Sequence, residues 1–218
     1  MTLRRVDSGA IVNQRNRSKQ FAGAMRWLHV YLSMFAFASL IFFGVTGVTL
    51  NHPDWFGADM ERVSERQGTL DRKWLGEGSK ESAAEESNVD KLAIVEFLRA
   101  EQGVRGALGE FQVDEYECVV MFKAPGYIAD VIIDRETAEF TVTEASYGLV
   151  AVMNDLHKGR DAGPAWSLII DVVSVLTVVL SITGFVLIFY LRKMRVGGLG
   201  TAIAGGVIVL AVAAYVSF

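Results

Sequence analysis

The sequence predicts an integral membrane protein with three helical spans and a folded, acidic α+β domain of about a hundred residues held outside the bilayer. Two observations carry this. Charged residues are 21% of the 218, close to a soluble average, yet they concentrate in 1–26, 54–161 and 192–195 and leave the stretches between almost charge-free. Three of those stretches have the ~20-residue length that a helix needs to cross ~30 Å of hydrocarbon.

Span one runs from Trp27 to Leu50 with no acid or base except His29; span two, Trp166 to Tyr190, holds one charge, Asp171; span three, Val196 to Phe218, holds none. Span three carries five glycines, among which Gly198 and Gly206 flank Ala202 at four-residue spacing, a pattern for close helix packing. The expected organisation is 1–25 cytoplasmic, 26–52 first span, 53–162 loop and folded domain, 163–191 second span, 192–196 cytoplasmic loop and 197–218 third span. Arg4, Arg5, Arg15, Arg17, Lys19 and Arg26 precede span one, and Arg192, Lys193 and Arg195 follow span two, so both flanks are expected in the cytoplasm. The domain at 53–162 is then expected outside the cytoplasm, in the periplasm if the host is Gram-negative. Span one is too long for a signal peptide and reads as a retained anchor.

Within the outer domain, residues 60–88 are polar and read as an irregular connection. Asn88 or Asp90 is placed to cap a helix to about Glu101, with Leu92, Val95 and Leu98 on one side. Residues 110–114, 117–123, 127–133 and 138–143 read as an antiparallel meander, and a helix at 145–158 leads back to the membrane.

Several chemistries are excluded or left without a basis. The single cysteine, Cys118, forms neither an intrachain disulfide nor a c-type haem attachment, and its apolar neighbours mark it as a core residue. No nucleic-acid motif accompanies the basic residues, no protease signature occurs, and no G-x-G-x-x-G follows a strand. The outer loop is acidic: Asp54, Asp59 and Glu61, with Glu65, Glu81, Glu85 and Glu86, form either a solvated loop or an approach for a hard cation such as Fe³⁺.

The histidines point further. There are three, His29, His52 and His157, and all fall at a predicted membrane boundary. Ionisable residues there are costly and are functional candidates, although a lone interfacial histidine is also an ordinary amphipathic residue. His29 and His52 lie 23 positions apart, roughly 34 Å along a helix, and cannot share a small centre. His52 and His157 belong to the same outer surface, where two imidazoles on facing helices can ligate a haem iron. His29 has no same-side histidine in the chain; a second copy across a two-fold axis would supply one. His29, Ser33, Ala36, Leu40, Gly44, Gly47 and Asn51 form one mostly small or polar helix face, suited to a flat macrocycle or to close helix packing. Asp171, on a polar stripe with Ser167, Ser174 and Ser181, is placed to bond a ligand histidine, accept a proton, help hold a quinol or pair with an arginine such as Arg160.

These residues resemble the PepSY-associated transmembrane helix family. The resemblance rests on Arg26-Trp27-Leu28-His29, on Gly44-Val45-Thr46-Gly47 with Leu50-Asn51-His52, on Leu156-His157-Lys158-Gly159-Arg160 and on Ser181-Ile182-Thr183-Gly184-Phe185. The helix and meander of 89–145 are similar to a PepSY-like domain. The resemblance implies non-covalent, bis-histidine haem b held by His29, His52 and His157, and reduction of ferric iron or a ferric chelate at the periplasmic face in support of ferrous iron uptake. Larger members have more spans, so a homodimer is expected. No flavin or nicotinamide domain fits in the cytoplasmic segments, so the electron donor is membrane quinol or a separate reductase. Two rival readings are a non-enzymatic membrane accessory or anchor protein, and a divalent-metal-binding membrane protein that uses the histidines with Asp54, Asp155 or Asp161.

Overall fold

The structure, a computed structural model, describes residues 8–57, 60–76 and 89–217. In chain order the elements are helix α1 (Ser8–Asn51), strand β1 (Glu61–Thr69), helix α2 (Lys91–Ala100), strands β2 (Ala107–Val113), β3 (Glu117–Ala124), β4 (Tyr127–Asp134) and β5 (Glu139–Tyr147), and helices α3 (Leu149–Lys158), α4 (Gly163–Ile188) and α5 (Arg195–Ser217). Short 3₁₀ turns occupy Pro53–Phe56 and Arg72–Leu75. Contacts group the described residues into two units, one built from residues up to 40 together with 171–217, the other from 41–170.

Among the described residues, three helices are long and apolar enough to cross a membrane: α1 over Asn16–Asn51, α4 and α5. The 44 residues of α1 extend roughly 66 Å, about twice a hydrocarbon core. The helix begins well before the apolar stretch predicted at Trp27, because the residues from Ser8 include no proline and only two glycines before it, so nothing breaks the backbone ladder. It ends at Asn51, where Pro53 follows. In the unit holding α5, Gly198 lies where a Cβ would meet the Ile188 side chain at 2.5 Å, so the missing side chain lets the end of α4 approach.

In the unit of 41–170 the five strands form one antiparallel sheet in the order β1-β5-β4-β3-β2. The predicted meander is present: β3 and β4 each run on to one further residue, β2 starts earlier at Ala107, and β5 continues to Tyr147. The reading of 60–88 as irregular is corrected: Glu61–Thr69 pairs with β5 from Glu61↔Tyr147 to Thr69↔Glu139. An edge strand of sequence ERVSERQGT carries charges that discourage pairing with other chains, and so lacks the apolar alternation that reveals a central strand. Residues 77–88, including Glu81, Glu85, Glu86 and Asn88, lie outside the described residues. The helix expected from 145 begins at Leu149 instead, because β5 keeps its ladder through Tyr147 and Gly148 caps the new helix.

One sheet face is the core. Cys118, Val120 and Phe122 of β3, Ala129, Val131 and Ile133 of β4, and Phe140 and Val142 of β5 alternate inward and are buried, as the two-residue period requires. α2 covers them with Ile94, Val95 and Leu98. Leu92, expected on that side, is 69% exposed, because at 100° per residue it falls about 60° outside the arc that Ile94, Val95 and Leu98 define. Asp90 is the cap, its carboxylate accepting from the Ala93 backbone N–H at 3.0 Å. Burial raises the Cys118 thiol above its ordinary range, in keeping with a core residue. The β4–β5 turn closes on Asp134, whose Oδ1 accepts from the backbone N–H groups of Glu136 at 2.9 Å and Thr137 at 2.8 Å.

Both the core and the turn can be tested in the full chain in detergent. Phe122→Ala should cost about 3–5 kcal/mol and Asp90→Ala about 1 kcal/mol, read from the denaturation midpoint by tryptophan fluorescence; equal costs would contradict this core. The backbone N–H of Thr137 holds the Asp134 carboxyl below its ordinary value. A lowered folded-state value means stability that is present at neutral pH and lost as pH falls through the carboxylate range. Asp134→Asn should therefore flatten the acid limb of the melting-temperature profile, and an unchanged limb would count against the turn geometry.

Candidate functional site

The three histidines meet different surroundings. His157, in the last turn of α3, packs on α1: its Nδ1 is 2.6 Å from Thr46 Oγ1, and its ring meets Phe43 edge-on with centroids 5.1 Å apart. Gly47 lies beside the ring, where a Cβ would stand 3.8 Å from His157 Cε1, an ordinary contact distance. One turn back along α3, the buried Asn154 accepts from Thr49 Oγ1 at 2.6 Å. Pairs three apart on each helix, running in opposite directions, join α1 to α3 as a two-rung polar ladder.

His29 meets a similar partner in the other unit. Its Nδ1 is 2.9 Å from Thr183 Oγ1 of α4, and a Cβ on the adjacent Gly184 would stand only 3.2 Å from His29 Cε1. Both threonines also bond backward along their own helices, Thr46 Oγ1 to the Phe42 carbonyl at 2.6 Å and Thr183 Oγ1 to the Leu180 carbonyl at 2.9 Å.

His52 differs. Its ring stacks on Trp55, centroids 3.8 Å apart and planes 6° from parallel, and its Nε2 is 3.2 Å from the Asn51 amide nitrogen. The expected facing of His52 and His157 is replaced by these separate contacts. His157 lies level with Phe43, Thr46 and Gly47, and Thr46 precedes His52 by six residues, about 9 Å along a helix.

The face predicted on α1 is also revised. Ala36 is buried, but Leu40 and Gly44 are exposed, and the other buried positions on this helix are Thr46 and Thr49. The helical periodicity of small residues, which defined that face, does not single out the threonines that make the contacts. A signal for them is present in the sequence as a repeated Thr-Gly pair, Thr46-Gly47 and Thr183-Gly184. Asp171 is exposed on α4 and makes no hydrogen bond or ion pair with the described residues; threonines stand where it was expected to serve a histidine.

Of the acidic approach residues, Asp54 is exposed in the turn after α1, Glu61 is exposed and accepts from the Tyr147 hydroxyl at 3.2 Å, and Asp59 lies outside the described residues. Among the described residues, no three histidine, cysteine or carboxylate side chains converge as a metal site. A cavity of about 360 Å³ opens between the end of α1, the sheet and α3, with Tyr127, Tyr147, Asp155, Lys158, Arg160 and Asp161 on its wall. Asp155 is engaged there, accepting from the Gly126 backbone N–H at 2.9 Å. Gly126 has φ +64° and presses on α3, where a Cβ would come within 2.5 Å of Val152, so the β3–β4 turn and α3 are held together without a side chain between them. Burial, and then the Glu144 carboxylate that accepts its proton at 2.7 Å, raise the Tyr127 phenol above its usual range.

Membrane-crossing helices joined to an antiparallel sheet domain, with histidines held between helices, define a class of helical membrane protein carrying an α+β domain. The chain matches the model of the PepSY_TM-like family over residues 23–217 and belongs to that family. No curated protein and no solved structure matches it.

The ladder's contribution can be measured. Thr49→Val removes the donor to a buried amide and should cost about 1–3 kcal/mol in the full chain, whereas Thr49→Val with Asn154→Leu should recover much of that loss. Additive costs in the double variant would show that the two side chains do not act on each other.

Proposed function

We propose that this chain is a b-type haem reductase of the bacterial inner membrane that delivers electrons to ferric iron or a ferric chelate at the periplasmic face, supporting ferrous iron uptake. The observation that carries the reading is the disposition of the histidines. His29 lies in the apolar helix α1, His52 just past its end, and His157 in the short helix α3 that packs on α1; His29 and His157 are each held between helices beside a glycine, in a chain of the PepSY_TM-like family.

The residues fit the group. An imidazole bonded through Nδ1 would offer Nε2 as the nitrogen that binds haem iron. His157 and His29, in different units of the chain, would each hold a haem of its own, with His52 the further candidate from the sequence. Bound to such a nitrogen, haem iron supplies a one-electron couple. The protein's own part is to fix the ring planes with Thr46 and Thr183, and to keep water from them with Phe43 and the apolar helices around it.

Lys158 and Arg160 on the cavity wall suit a ferric chelate, which carries negative charge, while the exposed carboxylates of Asp54 and Glu61, with Asp59, suit the free cation. The basic residues before the apolar stretch of α1 and after α4 favour a cytoplasmic N-terminus and a periplasmic sheet domain. The donor is quinol or a separate reductase, and the working form is a homodimer.

The test is optical. Protein purified in detergent from haem-replete cells should show low-spin Soret and α bands that sharpen on reduction, and added ferric citrate should reoxidise it. His157→Ala and His29→Ala should each remove a share of those bands. Colourless wild-type protein would end this reading.

A further inference from the structure

His157 and His29 lie on different helices, in different units, and are met in the same way. In each case a threonine hydroxyl approaches Nδ1, at 2.6 Å for Thr46 and 2.9 Å for Thr183. The next residue in each case is a glycine facing the ring carbon Cε1. The same threonine reaches back to a carbonyl of its own helix, Phe42 or Leu180. The backward bond is common to threonines of these helices, as at Thr49, Thr177 and Thr201, so the distinguishing feature is the hydroxyl set on the same ring nitrogen, Nδ1, at both places.

A hydroxyl has one proton and two lone pairs. With its proton on the carbonyl behind it, the threonine oxygen is left as an acceptor. The imidazole must then donate from Nδ1, and in a neutral ring that places the lone pair on Nε2. The helix carbonyl therefore sets the ring tautomer through the threonine. His52 has no such arrangement: its Nε2 faces the Asn51 amide, a donor that occupies the same lone pair.

We infer that Thr46-Gly47 and Thr183-Gly184 are two copies of one ligand-positioning device, which locks His157 and His29 as Nδ1–H imidazoles with Nε2 free to bind haem iron, and that His52 is not a ligand of this kind. The inference rests on the haem reading above. Thr46 and Thr183 are positioning residues, acting through the rings they hold. Each device supplies one axial nitrogen, so two stations exist in one chain. The glycine contributes separately. At Gly184 a methyl group would stand 3.2 Å from the ring, so the imidazole would have to move by a few tenths of an ångström to admit it.

The tautomer can be read without any cofactor. In haem-free full-length protein labelled with ¹⁵N-histidine, two of the three rings should show a protonated Nδ1 and an unprotonated Nε2, and Thr46→Val and Thr183→Val should each abolish that signature at one ring. Protonated Nε2 at both His157 and His29 overturns the inference.

Haem titration supplies the second readout. Loss of such an outer hydrogen bond costs about 10- to 100-fold in ligand-site affinity, so Thr46→Val and Thr183→Val should each weaken one class of site by that factor. Thr46→Ser and Thr183→Ser, which keep the hydroxyl, should restore it, and His52→Ala should leave both classes intact. Melting temperatures of the haem-free variants, followed in parallel, separate a positioning role from a loss of fold. Wild-type protein that takes up no haem defeats the reductase reading itself. Wild-type protein that binds haem while both valine variants bind it equally well defeats the threonine assignment alone.

Discussion

A polar side chain buried between packed helices is cut off from water, and it must find its partner in the protein. That constraint decides how α3 lies on α1. Thr46 with His157 and Thr49 with Asn154 satisfy four such groups at once, and their equal spacing along two helices fixes the register of one against the other. Gly47 lies beside the imidazole, and Phe43 closes one side of it. A helix joined to α1 by dispersion forces alone would have many neighbouring registers of similar energy; two matched polar rungs leave one.

The sheet inherits this arrangement. α3 is tied to the β3–β4 turn by the bond from Gly126 to Asp155 and by the close approach of Gly126 to Val152. The rigid part of the domain then follows from ordinary β-sheet physics. Alternating apolar residues of β3, β4 and β5 face α2, and the charged edge strand β1 extends the ladder while remaining poor at pairing with other chains. The network of Arg66, Glu144 and Tyr127 fills the end of this face with paired polar groups, Arg66 and Glu144 standing 2.6 Å apart.

The chemistry proposed for the chain uses residues that also hold it together. A histidine between helices is expensive in lipid unless bonded, and the bond that makes it tolerable also orients the ring. Stability and ligand geometry are thus set by one contact at Thr46 and by another at Thr183. The cavity beside α3 lies in the same unit as His157, with Asn154 on its wall one turn away along the helix.

Much was legible in the sequence because it depends on local composition. Apolar length gave the three spans, the two-residue period gave β3 and β4 almost to the residue, and the placement of His29, His52 and His157 near the predicted span boundaries marked them out. β1 was not legible, since an edge strand is defined by the neighbour it pairs with and its own residues are those of a polar loop. Neither were the partners of the histidines. Which residue faces an imidazole depends on the rotation and register of two helices distant in the chain, 111 positions apart for Thr46 and His157 and 154 for His29 and Thr183. The sequence alone determined that this chain spans a membrane, carries a folded domain and places its imidazoles at the boundary, because hydrophobic length and charge are summed residue by residue. Only the tertiary structure decided that threonines hold two of those rings, because a hydrogen bond requires two atoms to arrive at one place.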